Sequence, residues 1–489
     1  MPVRNQVQLI TYPDSLGGNL PSLCGVLDDC FPGAFPGGTH ILPPFPSSGD
    51  RGFAPLTYEK IDASFGTWDD LRRINETSPV MLDLMVNHMS RQAPPVKDFL
   101  ASGERSPYAD LFLTPRKVWP RGEPSPGDLE RLFLRRPSPF SRYNVTATGN
   151  QVSLWTTFGK QDPSEQVDLD WRSPVYRRFI EGALEVFHRH GIRMIRLDAV
   201  GYVVKKAGTS CFFVEPEIWD YLAWIRDVAS PLGIQLLPEV HAPLAIHRAL
   251  ASRGFWTYDF VLPYATLEAL LTGEPSFLRD YLRRRPGRQF TMLDCHDGIP
   301  IKPDLDGLYA PERARRVVET CLARGANLSR IVSPSHRDPD GFDVHQVRCS
   351  FYSALGESDD AYIAARAVQL FAPGVPQVYY AGLLAAANDP DAVRRTGEGR
   401  EINRRSFTVE EIHAATRRPV VQRLLRLIRL RNDHPAFSGA FEVLPARAAE
   451  LKAAWRSAAA SCELTVDFQT ARAVVTLSGA DGQPAQETL

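Results

Sequence analysis

Apolar, β-branched runs recur along this chain at Gln6–Tyr12, Gly38–Pro44, Pro79–His88, Gly191–Tyr202, Gly233–His241, Trp256–Leu262, Arg288–Asp297 and Val375–Tyr380. Helical patterns separate them: Leu20–Cys30, a helix opening at Thr67 with Asp70 as its capping-box partner, Pro174–His190, Pro216–Ala229, Asp360–Gln369 and Pro419–Asn432. Strands without a polar face must be covered on both sides, and the strand-helix rhythm supplies that cover. Eight such units predict an α/β chain folded as a (β/α)8 TIM barrel, built from residues 1–88, 171–298 and 351–435. Two stretches break the rhythm. Residues 89–170 are rich in Pro, Gly, Arg and Ser and read as an inserted subdomain after the third strand, and 299–350 read as a second insertion. The tail, 436–489, alternates weakly at Phe441–Leu444, Leu464–Phe468 and Ala473–Leu477, which predicts a small β-domain.

Charge excludes some partners. With 56 basic and 57 acidic residues, the formal net charge of -1 offers no global field for nucleic acid or an anionic membrane. No apolar run reaches the roughly 18 residues of a membrane span, and the N-terminus enters a strand pattern without a signal-like core, so a cytoplasmic location is expected. The seven cysteines are scattered without a C-x-x-C pair, which disfavours both disulfides and zinc. Cys295 reads as a small buried filler, since no activating base lies beside it.

In a barrel, strand ends converge on one face, so the polar residues there form a set. They are Asp50 and His88 after strands two and three, Arg196 and Asp198 on strand four, Glu239 and His241 on five, and His296 and Asp297 on seven. Arg196 and Asp198, two residues apart, point to one side and could be a structural ion pair. Three carboxylates in one bowl repel one another, however, and favour catalysis over stability. Two carboxylates facing each other across a sugar are what retaining glycosyl transfer requires, one as nucleophile and one as acid/base, and Asp198 and Glu239 are the candidates. No compact ligand spacing such as H-E-x-x-H occurs, so no catalytic metal is expected.

These residues resemble the α-amylase clan, and in detail its sucrose phosphorylase group. The stretches that carry the resemblance are Val7-Gln-Leu-Ile-Thr-Tyr12, Val86-Asn-His-Met-Ser90, Arg196-Leu-Asp-Ala-Val-Gly-Tyr202, Ala207-Gly-Thr-Ser-Cys-Phe212, Leu293-Asp-Cys-His-Asp-Gly298, Pro376-Gln-Val-Tyr-Tyr380 and Gly399-Arg-Glu-Ile-Asn-Arg404. The resemblance implies Asp198 as nucleophile, Glu239 as general acid/base and Asp297 as stabiliser of the transition state, with Arg196 orienting Asp198. It implies Asp50, His88, Gln166, His241, His296 and Arg400 as substrate-binding residues and Phe53 as an apolar platform. It further implies inorganic phosphate as acceptor, α-glucose 1-phosphate as product, and no calcium or organic cofactor. The expected partners are small molecules alone, the disaccharide or its phosphate and inorganic phosphate, acted on by a monomer or homodimer.

Two loops decide what lies beyond glucose. In Phe133-Leu-Arg-Arg136-Pro-Ser-Pro-Phe140, Arg136 aligns with a proline of sucrose phosphorylases; in Phe342-Asp-Val-His345-Gln346, His345 replaces a tyrosine. Both changes add donors suited to a phosphate dianion, which resembles enzymes acting on sucrose 6'-phosphate. Asp343 and Gln346 belong to the same acceptor set, and Asp343 resembles the fructose-handling enzymes. Gly208-Thr-Ser-Cys-Phe-Phe-Val-Glu-Pro-Glu217 and the helix from Pro419 also resemble glucosylglycerol phosphorylases, and the first loop is shorter than in sucrose phosphorylases. Sucrose itself and glucosylglycerol stay open as substrates. A hydrolase or isomerase of the clan and a non-catalytic binding barrel are the remaining alternatives.

Overall fold

A computed structural model describes residues 3–478 and 484–489. Its central sheet holds β1 (Gln8–Thr11), β2 (Gly38–Ile41), β3 (Val80–Met85), β4 (Met194–Asp198), β5 (Gln235–Pro238), β6 (Thr257–Asp259), β7 (Gln289–Thr291) and β8 (Val375–Tyr379). The hydrogen-bonded order β6-β7-β8-β1-β2-β3-β4-β5 is parallel throughout. β5 and β6 stand side by side without a ladder, so the barrel is closed but for one seam. Nearly every strand residue is buried, as strands packed between a filled interior and a ring of helices must be.

Helix starts follow local chemistry. Thr67 caps Trp68–Thr77, its backbone N–H donating to the Asp70 carboxylate at 2.8 Å. Ser173 caps Pro174–Arg189, which places proline where no N–H is needed. Asp359–Phe371 is buried almost all round because it lies between the barrel and a C-terminal antiparallel sheet. That sheet is β9 (Ala440–Leu444), β10 (Glu450–Arg456), β11 (Ser461–Asp467), β12 (Arg472–Ser478) and β13 (Pro484–Thr488) in sequence order. Trp455 of β10 donates its indole N–H to the Phe371 carbonyl at 2.7 Å and ties the sheet to the barrel. The tail's periodicity pointed to β9, β11 and β12. β10 escaped it because Leu451-Lys-Ala-Ala454 has helix-forming composition, and pairing on both edges overrides that preference.

Several strands are shorter than their apolar runs. β3 stops at Met85, and His88–Ser90 pairs antiparallel with Gln166–Asp168, so the run Pro79–His88 is two elements. β6 and β7 have three residues each. Beyond β7 the chain is held by side chains instead of a ladder: Arg366 bonds both oxygens of Asp294 at 2.8 and 2.7 Å. The 89–170 stretch contains the short helices Pro94–Ser102 and Pro126–Arg131 and the hairpin Phe140–Asn144 with Gln151–Trp155. Residues 299–350 form a three-stranded antiparallel sheet, Ile299–Pro300, Val344–Arg348 and Asn327–Arg330, covered by the helix Pro311–Ala323.

One buried lysine joins the barrel to the chain inserted after β3. The Lys205 ammonium, its side chain fully enclosed, meets Asp168 Oδ2 at 3.0 Å, Asn87 Oδ1 at 3.2 Å, Thr157 Oγ1 at 3.1 Å and the Tyr202 carbonyl. Lys205→Met leaves the Asp168 carboxylate buried without its cation, and is expected to cost about 3–5 kcal/mol. Denaturant and thermal unfolding check this; a midpoint equal to the wild type's would refute the clamp.

Candidate active site

Register brings the first charges together. β3 and β4 place Asp83 opposite Arg196, and their side chains meet at 2.5 Å, with His40 Nε2 on the other Asp83 oxygen at 2.7 Å. Burial alone would favour a neutral Asp83, but His40 and Arg196 hold it below the usual carboxylate range. Arg196, thus anchored from behind, bonds Asp198 Oδ1 at 2.8 Å and stands 3.7 Å from Glu239 Oε1. One guanidinium therefore serves both carboxylates, which keeps them close across the bowl.

The backbone sharpens this pairing. Ala199, just past β4, has φ +54°, a left-handed conformation that costs a non-glycine residue on the order of 1–3 kcal/mol. The turn directs the Ala199 N–H to Glu239 Oε2 at 3.2 Å. On the other oxygen, His241 Nε2 lies 3.2 Å away, and His241 Nδ1 meets Asp304 at 3.0 Å, with Phe260 stacked on the ring at 4.1 Å. Burial disfavours the imidazolium, yet Asp304 and Glu239 raise His241 to about 10. Glu239 sits at about 2, because Arg196 and His241 overcome its burial. Asp198 is pushed up to about 7 by burial, with Glu239 and Asp83 adding repulsion against Arg196. Asp198 and Glu239 titrate as a coupled pair that shares one proton below about 7.

Asp297 is gripped by the Gly399–Asn403 turn and the residue after it. Arg400 Nε approaches Asp297 Oδ1 at 3.2 Å and Arg404 at 3.9 Å, and both arginines also reach Asp50, at 3.3 and 3.7 Å. These cations and His296 hold Asp297 well down against its burial. Asp50 and Arg51 both have positive φ, +48° and +47°, a paired strain that sets the Asp50 carboxylate at the cavity mouth. Phe53 stacks on His296 at 5.0 Å, and its carbonyl accepts from His88 Nε2 at 2.9 Å. Burial keeps His88 and His296 neutral, His296 near 3. Burial likewise pushes Cys295 up to about 12, which suits a filler and not a nucleophile.

The three carboxylates, Arg196, His241, His296 and Arg400 line one inner cavity with Gln166, His345 and Gln346. Gln166 Oε1, His296 Nδ1 and Gln346 Oε1 are buried without a hydrogen-bond partner among the described residues. Buried polar atoms are normally satisfied, so a row of orphans in one cavity is a set of receptors for ligand hydroxyls. Glu239, His241 and Asp297 offer atoms within 4.8 Å of one another, the geometry of a metal triad. Arg196, Arg400 and Asp304 already engage the same side chains, so an ion there would compete with built-in cations.

Two expected acceptor residues lie elsewhere. Arg136 is buried away from the cavity, donating to Ser141 Oγ at 2.8 Å, Thr156 Oγ1 at 2.6 Å and the Gln161 carbonyl at 2.9 Å. It staples the hairpin to the next loop, and its neighbour Arg135 faces the cavity instead, bonded to the Tyr202 hydroxyl. Asp343 is drawn to Arg330 at 2.5 Å and does not line the cavity. His345 does line it, with Nδ1 donating to the Lys302 carbonyl at 2.5 Å, and burial, reinforced by Arg135 and His241, holds it neutral. Tyr202, Phe158 and Phe212 of the lining, and Arg404 behind Asp297, were missed; Tyr202, Phe212 and Arg404 stand inside motifs already singled out, whereas Phe158 lies in a loop with no period to read.

Residues 38–233 match the family described as alpha amylase, catalytic domain. Over 483 residues, 99% of both chains, the protein is 52% identical to a sucrose 6(F)-phosphate phosphorylase of Thermoanaerobacterium thermosaccharolyticum. It is 42% identical over 437 residues, 89% of both chains, to a sucrose phosphorylase of Streptococcus mutans. The crystal structure of sucrose 6F-phosphate phosphorylase from Thermoanaerobacter thermosaccharolyticum superposes with a TM-score of 0.98 at 51% identity, covering 100% of this chain and 99% of that one. With the barrel and its strand-end carboxylates in place, the chain belongs to the glycoside phosphorylases of the sucrose phosphorylase group, within the α-amylase clan.

Proposed function

We propose that the protein transfers an α-glucosyl group from sucrose 6'-phosphate to inorganic phosphate, with retention, through a glucosyl-enzyme. The observation that carries the phosphorylated substrate is Arg135, a guanidinium without a carboxylate partner among the described residues, entering the cavity beside His345 and the three carboxylates. A relative 52% identical is named for the same substrate.

Asp198 attacks the anomeric carbon as the bond to the fructosyl oxygen breaks, and Glu239 delivers its proton to that oxygen. The pair shares one proton, and a substrate that takes the His241 N–H away from Glu239 favours the form in which Glu239 carries it and Asp198 is ionised. In the second half, an oxygen of hydrogen phosphate attacks the anomeric carbon, the bond to Asp198 breaks, and the proton the phosphate carried passes to Glu239. Asp297, kept ionised by Arg400 and Arg404, balances the positive charge of the transition state. Arg135 reads the sugar phosphate as a charge-assisted donor. His345 presents Nε2, because its Nδ1–H is committed to Lys302, and a dianion there draws a proton onto it. The segments 89–170 and 299–350 act as acceptor-side modules, since Arg135 and Phe158 come from one and His345 and Gln346 from the other. A cytoplasmic location fits the seven free cysteines and the lack, among the described residues, of a helix long and apolar enough to cross a membrane.

The test compares initial rates of glucose 1-phosphate release from sucrose, sucrose 6'-phosphate and glucosylglycerol at equal concentration. Sucrose 6'-phosphate is expected to be fastest, and Arg135→Ala to raise its KM by about 10-fold or more with little change for sucrose. A wild-type preference for sucrose would overturn the phosphate reading and leave the carboxylate mechanism standing. Free glucose as the main product would identify a hydrolase.

A further inference from the structure

The inner cavity adjoins a wider, more open one, and Arg135, Asp50 and Arg400 line both. The wide cavity is crowded with arginines, most of them facing carboxylates. Arg51 pairs with Asp14 at 2.9 Å, Arg330 with Asp343, Arg400 with Asp50 and Asp297, and Arg405 with Glu411. Arg348 shares with Arg135 and the exposed Arg395 the lack of a carboxylate within ion-pair distance among the described residues, and it differs from both in a buried Nε without a hydrogen-bond partner.

Its position is built. Arg348 ends the strand Val344–Arg348, two residues after Gln346, so the strand presents Gln346 to the inner cavity and Arg348 to the outer one. Its guanidinium lies along the backbone of Gly399, where a Cβ would stand 2.6 Å from Nη1. Asn327, its cross-strand partner, secures that backbone by donating to the Gly399 carbonyl at 2.9 Å. Burial lowers Arg348 to about 10, and Arg400, Arg135 and Arg404 reinforce this, with Asp297 opposing. A half-buried guanidinium held among like charges is a cost that a bound anion removes.

We propose that Arg348 and Arg135 form a phosphate-dianion site in the wide cavity, which holds the phosphate of the acceptor as it enters and leaves. The chemistry is that of a phosphate monoester or of inorganic phosphate, both dianions met by forked donors. The proposal extends the acceptor reading above to a residue outside the inner cavity.

Titration calorimetry on the full-length protein tests it without turnover. Fructose 6-phosphate, inorganic phosphate and fructose are titrated into the wild type, Arg348→Gln and Arg348→Lys. Arg348→Gln is expected to weaken fructose 6-phosphate about 10-fold or more, Arg348→Lys to retain part of the affinity, and fructose to be unaffected. Weakening of both phosphates, or of one alone, supports the site and says which source it serves. Unchanged binding of both, or equal weakening of all three ligands with a lowered Tm, overturns it. Should the wild type prefer sucrose in the rate comparison, the substrate reading falls, and the inorganic phosphate titration still decides Arg348.

Discussion

Asp198→Ala is expected to reduce glucose 1-phosphate formation by about 10⁴-fold or more, whatever the donor. The reason is the position of the carboxylate: it is oriented by Arg196 at 2.8 Å, and Arg196 is itself locked by Asp83 at 2.5 Å. Arg196 stands 0.9 Å nearer Asp198 than Glu239, at 2.8 against 3.7 Å, so Asp198 is the carboxylate it orients directly. Removing a nucleophile takes away the covalent route entirely, which is why losses of this size follow. Activated donors such as α-glucosyl fluoride offer no relief, since they too must form the glucosyl-enzyme. Mass spectrometry of rapidly quenched wild type is expected to find one added glucosyl unit, absent in the variant. A variant retaining more than about a hundredth of the rate would remove Asp198 from the nucleophile's role.

Glu239→Gln separates the acid from the nucleophile. With sucrose 6'-phosphate the loss is expected to be about 10³–10⁴-fold, because the fructosyl oxygen leaves poorly without a proton. With α-glucosyl fluoride and phosphate the loss is expected to stay within about 10-fold, since fluoride needs less protonation and phosphate arrives as an anion. Equal losses on both donors would refute the acid/base assignment. The pH profile supplies an independent reading. The pair carries one proton below about 7, the value to which burial raises Asp198. As pH rises through about 7 that proton is lost and with it the acid, so wild-type kcat/KM for sucrose is expected to fall on the alkaline side. Using sucrose keeps the substrate's own phosphate titration out of the measurement. In Glu239→Gln with the fluoride, this alkaline limb is expected to disappear.

Much of the fold was written locally. The apolar runs, the Thr67–Asp70 capping box and the Ser173-Pro174 start depend on residues adjacent in sequence; each run holds a barrel strand, and the other two are helix starts in the structure. Strand-end position also brought Asp198, Glu239 and Asp297 into one bowl, because parallel strands in a barrel must end on the same face. β10 was not legible in this way, since its alanines and lysine become a strand through neighbours distant in sequence.

By itself, then, the sequence determined the barrel, the carboxylates and their orienting arginine, for these follow from period and strand-end placement. Tertiary structure alone decided the acceptor side. Arg135 and Arg136 are adjacent and chemically identical, and which one faces the cavity depends on Ser141, Thr156 and Gln161, whose oxygens capture Arg136. Arg330 removes Asp343 from the site in the same manner. That Arg348 has no carboxylate partner among the described residues is likewise a property of the assembled cavity, because a missing partner is a fact about every surrounding segment at once.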